Sequence, residues 1–389
     1  MGIRDHCPCG ECRHPETKQR LLDTFSIPED ISLKRVEGEE HGLRITWAND
    51  EHESFYTWDW LRAQSKSFHF PHEKSYFDQT IATKPPTLHY PNVMDNDEGV
   101  KEWTGKIRKW GFCFVDGCPT TSMGTQSLIE RIAFIRTTHY GGFWRFTSDL
   151  STKDSAYTQL ALGAHNDNTY FTDPAGLQTF HLLAHSHGGG GASLLVDGFR
   201  AANILREESP EAFRTLCHTK IRGHSSGNEN IAIMPDRAFP VITVENDADW
   251  RRSEVTQIRW NNDDRAAMTG VSSSAVADFY AAARKWVEIL RRPHSEYWVQ
   301  LQPGTALTFD NWRVLHGRSA FTGEREMCGA YTNMDDFISR WKTLHFCQTR
   351  HLERGLNVWI ASIPPLLDNV ITLPCWCCYR LHSLDLSMC

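Results

Sequence analysis

Short apolar runs, separated by glycine- or proline-rich turns, extend over much of the chain. Runs of four to eight residues that are rich in β-branched and aromatic side chains predict strands. The pattern predicts strands at residues 43–48, 55–61, 111–115, 177–183, 193–196, 255–260, 297–301 and 306–309. The protein is therefore predicted to be mainly β.

Helices are predicted at two places. Residues 274–291 form the first, because their apolar side chains recur at helical spacing and Pro293 ends the pattern. The second covers residues 202–217. Many strands, few helices and histidines at strand ends together indicate a double-stranded β-helix, or jelly-roll barrel, whose mouth holds a site.

The chain divides into three predicted segments. Residues 1–85 begin with a cysteine-rich stretch and end in a proline-rich linker, so they are predicted to form a small N-terminal β domain with its boundary near Pro85. Residues 86–353 carry most of the predicted strands and are assigned to the jelly-roll domain. Residues 354–389 form a tail.

The bulk properties exclude several classes of protein. With 389 residues the chain can bury one large core or two unequal cores. Its net charge of −7 argues against a general binder of nucleic acid or anionic membranes. No apolar run approaches the roughly 20 residues that span a bilayer, and the first residues lack the apolar core of a signal peptide. Twelve cysteines in such a chain favour free thiols and metal ligands, which predicts an intracellular location.

His165 and Asp167, separated by Asn166, form with the distant His316 the residue set of a facial triad. Two imidazoles and one carboxylate hold Fe(II) on one face and leave positions open for a co-substrate and oxygen. The alternative for a lone His-x-Asp motif is a polar loop, but both motifs lie next to predicted strands. Arg325, nine residues after His316 (325 − 316), is a candidate bidentate partner for the carboxylate of a 2-oxoacid. The alternative for a single arginine is a surface charge.

Three cysteines, Cys7, Cys9 and Cys12, lie within six residues. This spacing is too tight for ordinary disulfides but suits tetrahedral zinc. The alternative is a set of unrelated free thiols. For a zinc site, spacing alone leaves three candidates for the fourth ligand, namely His6, His14 and His52.

Aromatic residues crowd the segment before the His-x-Asp motif, among them Tyr140, Trp144 and Tyr157. Most such residues simply belong to a core. Ring faces can also surround a quaternary ammonium through cation–π contacts. Composition alone leaves both interpretations open.

Taken together, these segments resemble the γ-butyrobetaine/trimethyllysine hydroxylase family of Fe(II)- and 2-oxoglutarate-dependent oxygenases. The resemblance runs from residue 4 to about residue 344 and rests on several long stretches, which are far more specific than the triad alone. The stretches are Arg-Asp-His-Cys-Pro-Cys from residue 4, Trp-Arg-Phe-Thr-Ser-Asp from residue 144, Val-Asp-Gly-Phe from residue 196, residues 309–318, and Phe-Thr-Gly from residue 321.

The resemblance implies a role for each candidate residue. It makes His165, Asp167 and His316 the iron ligands, and Arg325 the partner of the distal carboxylate of 2-oxoglutarate. It makes His52 the fourth ligand of a structural zinc ion, beside the three cysteines. Ascorbate as reductant and a homodimer are also implied by family likeness. The residues at the family's trimethylammonium cage are Tyr140, Trp144, Tyr157 and Tyr331.

Two features resemble the trimethyllysine branch of the family. The nine-residue spacing from His316 to Arg325 is shorter than in the butyrobetaine enzymes, and Asp154 stands where those enzymes have asparagine. A carboxylate at that position would pair with the α-ammonium of trimethyllysine, although a carboxylate facing water is the alternative. The implied activity is hydroxylation of Nε-trimethyllysine to 3-hydroxy-Nε-trimethyllysine, with O2 as the oxidant, as the first step of carnitine biosynthesis.

Two alternatives to this activity stay open. The first is hydroxylation of γ-butyrobetaine to carnitine, within the same family. The second is an inactive, zinc-containing module that binds methylated lysine. The presence of all three triad residues and of Arg325 disfavours the second.

The chain departs from the family pattern at three places. Asn166 replaces the usual threonine, Met1 falls where the family already has a preceding strand, and residues 354–389 match nothing. A truncated start would remove a targeting peptide and allow a mitochondrial location, whereas the chain as written indicates the cytoplasm. The tail is interpreted as disordered, or as a mis-spliced or read-through C-terminus. A second metal site in this cysteine-rich tail is the alternative, which is disfavoured because no histidine or carboxylate set is spaced for it.

Overall fold

The computed structural model describes residues 1–64, 73–147, 158–185 and 188–346. Of these, residues 1–64 belong to a smaller compact unit and residues 73–346 to a larger one. The unmatched tail, which the sequence interpretation placed at residues 354–389, lies outside the described residues.

An antiparallel three-stranded sheet forms the centre of the smaller unit, with its middle strand paired on both sides. Ile45, Trp47 and Tyr56 pack on one face of this sheet and make the core of the unit. The elements in chain order are α1 (Gly2–Asp5), β1 (Leu33–Glu39), β2 (Gly42–Trp47), β3 (Glu53–Thr57) and α2 (Trp58–Gln64).

The predicted strand at residues 55–61 ends early, at Thr57. The Thr57 hydroxyl accepts a hydrogen bond from the backbone nitrogen of Trp60 at 3.2 Å. A threonine side chain that accepts from a nitrogen three residues later is the geometry of a helix N-cap. The aromatic run is therefore divided between β3 and α2, which the alternation of side chains alone did not predict.

In the larger unit, strands and helices alternate along the chain. The elements are β4 (Thr87–His89), α3 (Tyr90–Asp95), α4 (Asp97–Trp110), β5 (Phe112–Asp116), α5 (Ser122–Glu130), β6 (Ile135–Arg136), β7 (Trp144–Phe146), β8 (Leu162–His165), β9 (Leu177–His185), β10 (Ser193–Asp197), α6 (Gly198–Glu208), α7 (Pro210–His218), β11 (Ile242–Val244), β12 (Val255–Ile258), α8 (Ser273–Leu290), β13 (Tyr297–Val299), β14 (Ala306–Asp310), β15 (Val314–Arg318), β16 (Arg325–Thr332) and α9 (Met334–Phe346).

Two sheets enclose the central core of the larger unit. The order of the first is β4-β5-β14-β9-β16-β6, with β7 also paired to β16, and the order of the second is β13-β10-β15-β8. Neighbouring strands are antiparallel, except that β4 and β5 are parallel. Phe112, Leu182 and Phe309 of the first sheet meet Leu195 and Val314 of the second in one cluster. Antiparallel sheets packed in this way confirm the predicted jelly-roll fold.

Helices cover the outer faces of both sheets. Leu194 and Val196 point outward from β10, whereas Leu195 between them points inward, as the two-residue period of a strand requires. The outward pair packs with α6, α7 and α8, and Cys113 and Val115 of β5 pack with α4, α5 and α9. Among the described residues, no helix is both long enough and apolar enough to cross a membrane.

Two predicted boundaries differ from the structure. The helix predicted over residues 202–217 is two helices, because Pro210 lacks a backbone N–H and Ser209 leaves the helical conformation at φ −150°. The predicted domain boundary at Pro85 lies inside the larger unit. Phe77, eight residues before that proline, already packs edge-on against Phe112 in its core, at 4.9 Å between ring centroids. Pro85 and Pro86 therefore lie within the larger unit, just before β4, and Pro91 lies in the first turn of α3.

Candidate metal centre and substrate cavity

The predicted iron ligands come together at the edge of the smaller barrel sheet. His165 ends β8, and its cross-strand partner in β15 is His316, so the two imidazole rings lie 4.3 Å apart. Asp167 follows β8, with Oδ1 at 3.3 Å from Nε2 of His165 and 3.6 Å from Nε2 of His316. The three donor atoms lie within 4.8 Å of one another. This donor set fits Fe(II) bound on one face.

Two buried asparagines hold the turn that carries Asp167. The side-chain amide of Asn166 donates to the carbonyls of Asn311 and Val314 at 2.7 and 3.2 Å, and its oxygen accepts from the nitrogen of Trp260 at 3.2 Å. Asn311 in turn accepts from the backbone nitrogen of Asp167 at 2.9 Å and donates to its carbonyl at 3.1 Å. The turn after β8 is thus tied to the turn before β15.

Hydrogen bonds to the cluster leave the metal-facing atoms available. Nδ1 of His165 donates to the carbonyl of Gly163 at 2.8 Å, which leaves Nε2 as the donor atom for a metal. Oδ2 of Asp167 accepts from Nε2 of Gln178 and from the hydroxyl of Tyr331, each at 2.6 Å. Gln178 of β9 and Tyr331 of β16 are themselves cross-strand partners. Oδ1 of Asp167 therefore remains directed at the two imidazoles.

The electrostatics of Asp167 and His316 favour the protonation states that a metal needs. Burial would lower the pKa of His165, but the hydrogen bond with Asp167 and the charge of that carboxylate raise it. Burial alone would raise the pKa of Asp167, but the neighbouring His316 and the hydrogen bond with His165 bring it well below its ordinary value. Burial, together with repulsion from His165, lowers the pKa of His316 to about 3. A carboxylate and a neutral imidazole at neutral pH are the ligand forms that bind a divalent cation.

One cavity of about 520 Å³ in the larger unit joins this cluster to an aromatic wall. The ring of Trp144 meets that of Tyr331 at 63°, with 6.3 Å between centroids. The structure therefore brings Tyr140, Trp144 and Tyr331 to the same cavity as the His and Asp cluster. Asp154 and Tyr157, the other two predicted substrate residues, lie outside the described residues.

Arg325 begins β16 and lines the same cavity with only 5% of its surface exposed. Its guanidinium lies 5.8 Å from the centre of the Phe321 ring. Within the described part of the chain, no carboxylate pairs with it and its Nε has no hydrogen-bond partner. Burial, and secondarily the charge of Arg318, lowers the pKa of Arg325 to about 10. A buried cation without a partner is costly, so the site fits an anionic ligand such as a carboxylate.

The predicted zinc ligands meet in the smaller unit. Nε2 of His52 lies 3.3 Å from Sγ of Cys7, 3.5 Å from Sγ of Cys9 and 3.6 Å from Sγ of Cys12. Tetrahedral zinc, with bonds of about 2.3 Å to sulfur and about 2.0 Å to nitrogen, separates its ligands by about 3.6 Å. These four residues therefore fit zinc.

The other two histidines considered for the zinc site make local hydrogen bonds. His6 bonds through Nδ1 to the carbonyl of Gly2 at 2.7 Å. Nδ1 of His14 accepts from the nitrogens of Glu16 and Thr17, each at 3.2 Å. Of the three candidates left open by spacing, the structure brings only His52 to the cysteines within the described residues.

A buried arginine bridges the thiol cluster to its surroundings. Nη1 of Arg4 donates to Sγ of Cys12 at 3.3 Å, and Nε donates to Asp50 at 2.7 Å. The other oxygen of Asp50 accepts from the backbone nitrogen of His52 at 3.1 Å. Arg4 thus places a positive charge beside the thiol cluster, and Asp50 holds the loop of the fourth ligand.

Sequence reasoning did not single out several residues that build the cavity. Gln178 and Asn311 support Asp167, and Tyr170 lines the cavity beside Tyr140. Two signals pointed to them. Tyr170 lies three residues after Asp167, and Asn311 lies in a polar turn between two apolar runs. Polar residues in such turns are ambiguous, because most of them face water.

Comparison with known proteins places this geometry in a family. The sequence profile described as Taurine catabolism dioxygenase TauD, TfdA family matches residues 74–331. The profile described as Gamma-butyrobetaine hydroxylase-like, N-terminal matches residues 2–62. The trimethyllysine dioxygenase of Neurospora crassa is 45% identical, over 90% of this chain and 81% of that protein. The chain belongs to the TauD, TfdA family of dioxygenases.

Two further relatives are less similar to this dioxygenase than the Neurospora crassa protein is. The mitochondrial trimethyllysine dioxygenase of Homo sapiens is 38% identical, over 88% of this chain and 82% of that protein. The gamma-butyrobetaine dioxygenase of Pongo abelii is 28% identical, over 88% of this chain and 90% of that protein. The resemblance inferred from the motifs and the predicted enzyme class are thus confirmed.

Proposed function

We propose that this dioxygenase hydroxylates Nε-trimethyllysine to 3-hydroxy-Nε-trimethyllysine, the first step of carnitine biosynthesis. The observation that carries the proposal is a single cavity that joins three elements. They are a cluster of two histidines and one aspartate, a buried arginine that no carboxylate of the described residues pairs with, and a wall of aromatic rings. The higher identity to trimethyllysine dioxygenases than to the butyrobetaine enzyme supports the choice of substrate.

His165, Asp167 and His316 would hold Fe(II) in this reaction. When bound, the iron and 2-oxoglutarate supply an oxidation in which O2 places one oxygen atom in succinate, formed with release of CO2, and the other in a C–H bond of the substrate. Gln178 and Tyr331 hold the carboxylate of Asp167 in one orientation. Arg325 would pair with the distal carboxylate of 2-oxoglutarate and so fix the position of the co-substrate in the cavity.

The aromatic wall would bind the cationic end of the substrate. Faces of Tyr140, Trp144 and Tyr331, with Tyr157 from the sequence pattern, attract a trimethylammonium group, which has no N–H to donate. Asp154, also assigned from the sequence pattern, would pair with the α-ammonium at the other end. Holding both ends presents C3 of the substrate to the metal, and such orientation is the main contribution of the protein.

The remaining parts of the proposal concern the zinc site, the cellular location, the reductant and the oligomeric state of the enzyme. Cys7, Cys9, Cys12 and His52 would hold a structural zinc ion. The mitochondrial trimethyllysine dioxygenase of Homo sapiens supports an intracellular and, more specifically, a mitochondrial location. Ascorbate would keep the iron reduced. The expected assembly is a homodimer, and sedimentation of the purified enzyme would measure its oligomeric state.

Succinate release from the purified protein tests the proposed reaction. We expect release to require iron, 2-oxoglutarate and trimethyllysine together, with ascorbate present, and to match the hydroxylated product one to one. A higher kcat/KM for γ-butyrobetaine than for trimethyllysine would overturn the choice of substrate. Binding of trimethyllysine without any succinate release would favour the inactive binding module instead.

Asp154→Asn tests the α-ammonium contact within the same assay. Loss of one charge-assisted contact should raise the KM for trimethyllysine about tenfold or more. The KM for 2-oxoglutarate should not change. An unaltered KM for trimethyllysine in this variant would remove Asp154 from the proposed site.

A further inference from the structure

Residues 260–264 form a second wall of the cavity, and neither the metal cluster nor the aromatic wall includes them. All five residues line the cavity, and two of them, Asp263 and Asp264, carry carboxylates. Trimethyllysine has a net positive charge, whereas 2-oxoglutarate is an anion that would pair with Arg325. Charge complementarity therefore directs this 260–264 wall towards the substrate.

Internal hydrogen bonds make the 260–264 wall a single piece. The side-chain nitrogen of Asn261 donates to the carboxylate of Asp264 at 2.7 Å, and its side-chain oxygen accepts from the backbone nitrogen of Asp263 at 3.0 Å. An asparagine oxygen that accepts from the nitrogen two residues later forms an Asx turn. At the far end, the carbonyl of Asp264 accepts from the backbone nitrogen of His224 at 2.8 Å. The position of the wall therefore depends on how each of its ends is held.

Asn166 holds the end that begins at Trp260. The backbone nitrogen of Asn166 donates to the carbonyl of Trp260 at 2.7 Å, and the backbone nitrogen of Trp260 donates to the side-chain oxygen of Asn166 at 3.2 Å. The indole ring of Trp260 packs in the core beside α6, α7 and α8. Because Asn166 lies between His165 and Asp167, its two bonds to Trp260 join the wall to the metal cluster.

The side chain of Asn166 is buried and makes three hydrogen bonds. While its oxygen accepts from Trp260, its amide group donates to the carbonyls of Asn311 and Val314 at 2.7 and 3.2 Å. An amide has two N–H donors, so it can serve both carbonyls, whereas a hydroxyl has one donor and can serve only one of them. Asn166 therefore joins three segments of the chain at one point.

We infer that Asn166 is a positioning residue, which holds the 260–264 wall against the metal cluster and so determines how tightly the cationic substrate binds. This inference rests on the proposed function. The side chain of Asn166 acts through the wall. Its substitution should therefore change the binding of the substrate and leave the binding of 2-oxoglutarate alone.

Asn166→Ala tests the inference, because it removes the side-chain bond to Trp260 and keeps the backbone bond. We expect the Kd for trimethyllysine to rise about three- to tenfold, the effect of one neutral hydrogen bond. Anaerobic calorimetric titration of the enzyme loaded with iron and 2-oxoglutarate measures it. The KM for trimethyllysine should rise with it, while the KM for 2-oxoglutarate stays within about twofold. Iron content should not change, because Gln178 and Tyr331 still hold the carboxylate of Asp167.

Hydrogen exchange follows the wall itself. The backbone N–H of Trp260 loses its acceptor in Asn166→Ala, so peptides that contain residues 260–264 should exchange faster than in the wild type. Asn166→Thr supplies a hydroxyl that can accept from this N–H. It should therefore recover part of the protection and part of the affinity for trimethyllysine together.

Asn96→Ala is the matched control for a general loss of stability. The side-chain oxygen of Asn96 accepts from the backbone nitrogens of Glu98 and Gly99 at 3.0 and 3.2 Å, and Asn96 does not line the cavity. Loss of this helix cap should lower the unfolding temperature. The Kd for trimethyllysine and the exchange of residues 260–264 should stay at their wild-type values.

The possible failures are distinguishable. A wild-type enzyme that does not turn over trimethyllysine would overturn the proposed function and this inference with it. If the wild type is active and Asn166→Ala binds trimethyllysine equally well, the inference alone is wrong. Weaker binding with unchanged exchange of residues 260–264, or with loss of iron, would also exclude it, because Asn166 would then act on the metal cluster rather than on the wall.

Discussion

Three of the four donors in the thiol cluster lie within six residues of one another, whereas the two histidines of the iron cluster are 151 residues apart (316 − 165). The first cluster needs one loop and one further residue, His52. The second needs the pairing of β8 with β15, which forms only when the barrel closes. One cluster is therefore a product of local chain geometry, and the other is a product of the completed fold.

The two clusters also differ in how completely protein donors can surround a metal ion. The thiol cluster has four donors, His52 and the three cysteines, which can fill a tetrahedral shell. Arg4 adds a positive charge beside the sulfur of Cys12. The iron cluster has three donors and lies beside an open cavity, with the buried Arg325 on its wall. A filled shell is typical of a structural metal site, and an open one is typical of a catalytic site. The difference predicts that each metal can be removed without the other.

His316→Ala should have the largest effect, because it removes a central donor of the iron cluster. We expect turnover to fall by at least about 1,000-fold, since the metal-dependent chemistry supplies the rate enhancement. Elemental analysis of the purified variant should find iron lost and zinc retained. Loss of both metals would contradict the independence of the two clusters.

Cys9→Ser is the reciprocal variant. It removes one thiolate from the filled shell, and because zinc binding is coupled to folding it should cost several kcal/mol in the smaller unit. Hydrogen exchange of residues 1–62 in the full chain measures this loss, and elemental analysis should find zinc lost with iron retained. An unchanged exchange rate would show that the thiol cluster does not stabilise its unit.

The same contrast explains what the sequence could predict. The cysteine spacing identified the thiol cluster, but resemblance to a family was needed to select His52, because three histidines fitted the spacing equally well. The structure supplies the physical reason, since β2 and β3 close a short loop that carries His52, and the ion pair between Arg4 and Asp50 ties that loop to the cysteine segment. No local pattern contains that information.

The iron cluster was predicted from residue types, yet its supports were not. Gln178 and Tyr331 reach Asp167 from two strands that become neighbours only in the barrel, and their residue types alone suggest a solvated amide and a core ring. The strands themselves were predictable from their apolar runs. The break between α6 and α7 was also predictable, because Pro210 within the apolar helical pattern is itself a signal that a helix ends before it.

Arg4→Met should have an intermediate effect, and it tests whether Arg4 supports zinc binding by the thiol cluster. It keeps a long side chain but removes the donor to Cys12 and the ion pair with Asp50. Loss of such supporting contacts typically costs 10- to 100-fold in metal affinity, so zinc should transfer to a chelator that much more readily. Arg44→Met, at a partly exposed arginine of the same unit that pairs with Glu39, is the control. Equal zinc transfer from both variants would exclude a role for Arg4.

The smallest predicted effect concerns how the barrel positions Arg325. A run of four glycines, residues 188–191, lies against the backbone of residues 319–322, in the segment that leads to this arginine. A Cβ on Gly190 would lie only 2.1 Å from the carbonyl oxygen of Ala320, and φ at this glycine is +84°. Backbone contact this close is possible only for glycine. The position of the Arg325 guanidinium is therefore expected to depend on Gly190, although Gly190 is not proposed to contact the co-substrate.

Gly190→Ala should therefore weaken 2-oxoglutarate binding specifically. Displacing residues 319–322 costs about 1–3 kcal/mol of strain and shifts the guanidinium, so we expect the KM for 2-oxoglutarate to rise about tenfold. The KM for trimethyllysine should change by less than about twofold, because Tyr140 and Trp144 precede β8 and Tyr331 lies six residues after Arg325 in β16, away from residues 319–322. Gly189→Ala is the matched control, since a Cβ there meets no atom within 4 Å. If both variants raise the two KM values alike, the glycine run affects the stability of the barrel rather than the placement of Arg325.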